Sequence, residues 1–148
     1  MAVITLDFHS KALKMCTLVT LVVPDSVRIK GIPLSARRTV YLLHGLSEDA
    51  TAFLRLSGAE RYARAHDLVL VMPTGGRSMY CDGINGQNWF TYIAEELPEY
   101  LHLLMGLSRR REQNFIAGYS MGGMGAARIA LTLSLIHISE PTRPLYIS

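Results

Sequence analysis

The chain has 148 residues, 49% of them hydrophobic and 18% charged, which is enough apolar material for a core and excludes intrinsic disorder as its main state. Fifteen Lys and Arg against twelve Asp and Glu leave a net charge of +3, with the basic residues scattered apart from Arg109, Arg110 and Arg111. A nucleic-acid binder would carry a basic face or stripe, so this balance argues for no nucleic-acid partner, and the three arginines read as a solvated connection.

Taken in chain order, residues 3–8 and 16–23 are short apolar runs rich in β-branched side chains and joined by a polar connection, which predicts an antiparallel strand pair. Pro24 and Asp25 end the second run. Residues 39–43, 68–72 and 114–117 are nearly continuous apolar runs, as expected of strands in the middle of a parallel sheet covered by helices. Helical patterns fill the spaces at 52–66 and 89–105, and the second carries Trp89, Tyr92, Ile93, Leu97, Tyr100, Leu101 and Leu104 at helical spacing. Pro98 is predicted to bend or break it. A helix rich in small residues follows at 121–132. A hairpin followed by strand–helix alternation predicts an α/β fold, a mostly parallel sheet with an N-terminal antiparallel hairpin and covering helices.

The chemistry concentrates where the fifth strand ends, at Gly118-Tyr119-Ser120-Met121-Gly122, a G-x-S-x-G between a strand and a helix. In that context Ser120 is a candidate nucleophile on a strained turn, and Cβ atoms at Gly118 or Gly122 would collide with neighbouring backbone. Gly123, Gly125, Ala126 and Ala127 let the helix approach the sheet, and its N-terminus suits an oxyanion. No G-K-[ST] and no G-x-G-x-x-G accompany these glycines, so a phosphate loop is excluded. The bland reading keeps Ser120 as a helix-capping serine. Earlier, His44-Gly45-Leu46 stands where the third strand gives way to a loop. In the hydrolase arrangement such a loop supplies one oxyanion donor and the residue after the nucleophile the other, which singles out the backbone N–H groups of Leu46 and Met121. His44 lies too early in the chain for the usual order of nucleophile, acid and His, and is read with Gly45 as loop support.

These segments resemble the esterase D and tributyrin esterase family of α/β-hydrolases, relatives of S-formylglutathione hydrolases. The likeness rests on Tyr41-Leu42-Leu43-His44-Gly45-Leu46, Val71-Met72-Pro73, Tyr80-Cys81-Asp82 with the segment 89–92, Ala94-Glu95-Glu96-Leu97-Pro98, and the stretch 115–123 around Ser120. The resemblance implies a serine carboxylesterase that hydrolyses short-chain acyl esters through an acyl-enzyme, a small-molecule ester substrate, no metal and no organic cofactor. Acyl transfer on the same fold, or a non-catalytic binding module, are the alternatives. Tyr80, on what reads as an exposed loop, and Trp89 are possible pocket walls.

The triad acid and His are expected after Ser120, where only His137 and Glu140 stand, in reverse order, and neither is assigned a role. The composition also changes at Leu133: the eleven residues 133–143 resemble a sequencing-library transposase adapter translated in one frame. We therefore expect residues 1–132 to be the N-terminal part of one α/β-hydrolase domain, a truncated fold, and residues 133–148 to be a non-native tail. Truncation beside the strand that carries the nucleophile predicts an unpaired apolar edge. Cys16 and Cys81, far apart and without C-x-x-C or a His at ligand spacing, are expected to be reduced thiols in or near the core. No run reaches about 18 apolar residues and residues 1–14 lack signal-peptide features, so no membrane partner and a cytoplasmic location are expected.

Overall fold

The structure, a computed structural model, describes residues 1–136 and 146–147, with side chains through Leu133. β1 (Ala2–Ser10) and β2 (Met15–Val23) form the expected antiparallel hairpin, with Ala2 opposite Val23 and Ser10 opposite Met15. The chain then gives α1 (Ser26–Ile29), β3 (Thr39–Leu43), α2 (Ala52–Leu56), α3 (Ala59–His66), β4 (Val69–Pro73), α4 (Trp89–Thr91), α5 (Leu97–Met105), β5 (Asn114–Gly118), α6 (Met121–Ile136) and β6 (Tyr146–Ile147). In the sheet the order is β1-β2-β4-β3-β5-β6. β2 meets β4 antiparallel, and β4, β3, β5 and β6 run parallel. The α/β architecture and the position of every predicted strand hold, with limits that move by one or two residues at the ends.

Burial explains the order. Val19, Leu21 and Val22 of β2 and Val69 and Val71 of β4 are wholly buried, and each such side chain contributes about 1.5–3 kcal/mol relative to exposure. On one face of the sheet Val19, Leu21, Val69 and Val71 pack with Leu43, Tyr80, Tyr92, Leu97, Leu101 and Met121. On the other, Val22, Leu70 and Met72 pack with Ala63 of α3 and with Phe53 and Leu54 of α2. β5 has β3 on one side and pairs on the other with β6 at Ala117 and Gly118, so the edge expected to be unpaired is covered there.

Three expectations about helices are corrected. The pattern at 52–66 is not one helix: Ser57 is extended, at φ −142° and ψ 174°, and its hydroxyl donates to the Phe53 carbonyl at 2.5 Å, so the chain restarts at Gly58. The 89–105 segment neither stops nor breaks at Pro98. Its turns widen to π geometry over Tyr92–Glu96, where the Leu97 N–H reaches the Tyr92 carbonyl, and Pro98 sits in the first turn of α5, where a missing N–H costs nothing. α6 continues to Ile136, four residues past the expected end. Cys16 is also exposed rather than near the core, and Cys81 is half-buried.

Candidate active site

Parallel strands bring the C-terminal ends of β3, β4 and β5 to one edge of the sheet, and the three loops that leave them meet there. Ser120, between β5 and α6, has φ +53°, a left-handed conformation that a residue with a Cβ rarely adopts. The flanking glycines make this turn possible. A Cβ on Gly118 would lie 2.4 Å from the Gly122 carbonyl oxygen, and one on Gly122 would lie 1.9 Å from the Leu43 carbonyl oxygen. The turn is closed by the Gly122 N–H donating to the Tyr119 carbonyl at 2.8 Å. Met121 is the first residue of α6, so its N–H belongs to the group that has no intrahelical acceptor.

The loop after β3 lies against this turn. A Cβ on Gly45 would be 3.7 Å from Ser120 Cβ and 3.2 Å from the Tyr119 ring, which puts Gly45 beside the serine. Tyr119 is in turn met edge-on by Phe53, with ring centroids 5.5 Å apart. Glu48 holds the loop from within: its carboxylate accepts the Gly45 N–H at 3.2 Å, and its own N–H donates to the Gly45 carbonyl at 3.3 Å. The sequence carries no signal that marks Glu48, because its side chain meets the Gly45 N–H only once the loop is folded.

His44 is buried, and both ring nitrogens are occupied. Nε2 accepts the Gly75 N–H at 2.8 Å, which leaves Nδ1 to donate to the Gly45 carbonyl at 2.6 Å. The imidazole thus ties the β3 loop to the β4 loop. Tyr80 corrects an expectation: it is wholly buried, not exposed on a loop, and its hydroxyl donates to the His44 carbonyl at 3.0 Å. Burial pushes its phenol ionisation well above the usual range. Its ring occupies the space that side chains at Gly75 and Gly125 would need. Trp89 is nearly buried and lines a cavity with residues of the β4 loop, and Asp82 accepts the N–H and hydroxyl of Thr91 at 3.0 and 2.7 Å.

Among the described residues no three His, Cys, Asp or Glu gather to hold a metal ion, and no helix is long and apolar enough to cross a membrane. His137 and Glu140 lie outside the described residues.

The edge therefore presents a strained serine at a helix N-terminus with a second backbone loop beside it, an arrangement suited to acyl transfer. Known proteins agree with that chemistry. A family model, Esterase, matches residues 10–134. The acetyl esterase of Caldicellulosiruptor saccharolyticus is 29% identical over 136 residues, which cover 88% of this chain and 51% of that protein. Fluorophosphonate-binding serine hydrolase F of Staphylococcus aureus, in a substrate-bound structure, superposes with a TM-score of 0.81 and 38% identity over 90% of this chain and 52% of its own. The S-formylglutathione hydrolase of the same organism gives a TM-score of 0.78 and 38% identity over 90% of this chain and 53% of its own. The chain spans about half the length of these relatives. With its family model matched along most of its length, the chain belongs to the Esterase family, carboxylic ester hydrolases of the α/β-hydrolase fold.

Proposed function

We propose that residues 1–132 carry the nucleophile half of a serine carboxylesterase acting on short-chain acyl esters. The observation that carries this reading is Ser120 at φ +53° between two glycines that admit no side chain. In the reaction Ser120 Oγ attacks the ester carbonyl carbon and gives its proton to a His base. The N–H groups of Leu46 and Met121 hold the resulting oxyanion, the alcohol leaves with the proton, and water then hydrolyses the acyl-enzyme by the reverse sequence. His44 is not that base, because Nε2 already accepts from Gly75 and Nδ1 donates to Gly45.

The acid and the His base belong, in this reading, to the part of the relatives' length that this chain does not span. Residues 133–148 are read as a non-native tail. The chain as it stands is then expected to hydrolyse p-nitrophenyl butyrate no faster than its Ser120→Ala variant. A protein extended by its natural continuation after Thr132 is expected to be active, and Ser120→Ala to lower its kcat by about 10⁶-fold. Hydrolysis by the unextended chain that Ser120→Ala abolishes would overturn the placement of the base. An extended enzyme indifferent to Ser120→Ala would overturn the nucleophile.

A further inference from the structure

Parallel strands gather more than the loops around Ser120, because their N-terminal ends share the opposite edge of the sheet. Thr39, the first residue of β3, stands opposite Val69 of β4 and Asn114 of β5. The segments that enter these three strands therefore lie side by side, about 4.8 Å apart. The Val69 N–H donates to the Arg38 carbonyl at 3.0 Å. The Asn114 side-chain amide donates to the carbonyls of Ser108 and Arg110 at 2.8 and 2.7 Å, which folds the loop carrying Arg109 and Arg110 back onto this edge. Burial raises the ionisation of the Tyr41 phenol in β3 and the charge of Arg109 opposes it, which sets that guanidinium within reach of the strand. α1 joins from the side of β4: Ser26 hydrogen-bonds Asp67, the residue that ends α3, and Arg28 and Arg64 both act on the carboxylate of Asp25.

Cations scattered along the sequence are thus collected by the fold: Arg28, Lys30, Arg38, Arg64 and Arg109, all exposed. The acids beside them are already held. Asp25 accepts from the N-terminal ammonium, Asp67 pairs with Arg37, and Glu112 lies 3.6 Å from Arg110. Among the described residues none of the five cations has a carboxylate within 4.0 Å. Arg37, buried next to Arg38, likewise has no acceptor at Nε or Nη2, so the edge is short of anions on the inside too. Apolar tips flank these charges. Ile29, between Arg28 and Lys30, is 71% exposed, and Leu103, in the last turn of α5 before the arginine loop, is also bare.

We propose that this edge docks on an anionic lipid bilayer, with Arg28, Lys30, Arg38, Arg64 and Arg109 at the level of the headgroup phosphates and Ile29 in the boundary beneath them. Charge complementarity selects an anionic surface, and aliphatic tips set between cations select a bilayer over a nucleic acid, which asks for a charged groove and aromatic faces to stack on. Such a surface lies on a membrane rather than crossing it, so the lack of an apolar span does not bear on it. Ser120 stands at the far end of β5, a strand of five residues, about 16 Å from the docked edge. The serine turn then faces water, away from the lipid.

Flotation of the full chain with vesicles on a density gradient tests this, since bound chain rises and aggregated chain sediments. The vesicles are phosphatidylcholine alone or with about 30% phosphatidylserine. The chain is expected to float with the anionic vesicles only, and about tenfold less in roughly 0.5 M salt. Arg38→Gln with Arg109→Gln is expected to lower the partition coefficient about 25-fold, about fivefold for each charge, and Ile29→Ser severalfold. The control pair, Arg55→Gln with Arg77→Gln, removes the same net charge from α2 and from the loop after β4, and is expected to change partitioning less than twofold. All of these side chains are exposed, so an unchanged thermal midpoint checks that each variant keeps its core. Absence of flotation with anionic vesicles, equal flotation with neutral ones, or equal losses from the two arginine pairs would each overturn the proposal. So would binding to a short DNA duplex, lost on Arg38→Gln with Arg109→Gln, by a chain that leaves the vesicles alone. The result does not depend on ester hydrolysis.

Discussion

A methyl group at position 122 would stand 1.9 Å from the Leu43 carbonyl oxygen and 2.8 Å from that of His44, and both obstacles are backbone. No rotamer change relieves such a contact, so β3 and α6 would have to separate. Gly122→Ala is expected to destabilise the chain by about 3 kcal/mol or more, read as a lower urea midpoint at unchanged slope. The need for glycine here was legible in the sequence, because G-x-S-x-G between a strand and a helix carries its own steric reason. The supporting role given to His44 rested on chain order alone, and the structure adds what order cannot supply, the two hydrogen bonds that occupy its ring. Tyr80 was misread because its burial depends on partners distant in the chain: the Gly125 gap it fills and the His44 carbonyl it meets. Neither is visible in the residues around it.

Long-range anchoring also decides how the elements sit. Glu96, in the π-helical stretch, receives the Ser10 hydroxyl at 2.5 Å and the N–H groups of Lys11 and Ala12 at 2.6 and 3.2 Å. One carboxylate thus pins the β1–β2 turn to the helix that covers the sheet. Hydrogen bonds to a charged group contribute about 1.5–3 kcal/mol each, and they share a partner, so Glu96→Ala is expected to cost about 3 kcal/mol in urea unfolding. Glu96→Gln keeps the acceptor oxygen and is expected to cost less than half of that. The sequence reading took this segment as helix by its apolar spacing, and the widening ahead of Pro98 escaped it because period alone cannot tell α from π turns. The break at Ser57 and Gly58 was signalled by the Ser-Gly pair itself, but the apolar pattern on either side outweighed it.

For the molecule as a whole, strand–helix alternation after a hairpin predicts the mostly parallel sheet but not the strand order, and it is that order which places the serine turn beside the β3 loop without any local sequence signal linking them. What local patterning does not show is where apolar surface stays uncovered. Met124 and Leu131, seven residues apart on one face of α6, are 54% and 60% exposed, and Leu103 of α5 is 77% exposed. Replacing Met124 and Leu131 together with Glu is expected to lower the fluorescence of bound anilinonaphthalene sulfonate about twofold and to slow aggregation, since such exposed patches drive both. Unchanged dye binding would locate the sticky surface elsewhere, with Leu103 and Leu104 of α5 the next to test.

Tyr80 has a consequence on another axis, that of time. Its ring is wedged beside Gly75 and Gly125 and its hydroxyl rests on His44, whose imidazole in turn holds Gly75 and Gly45. The loops after β3 and β4 and the helix behind Ser120 are therefore fastened through shared side chains, with no seam along which one could open while the others stay shut. The serine turn keeps its shape for as long as this end of the sheet endures, and its lifetime is that of the fold rather than of any one loop.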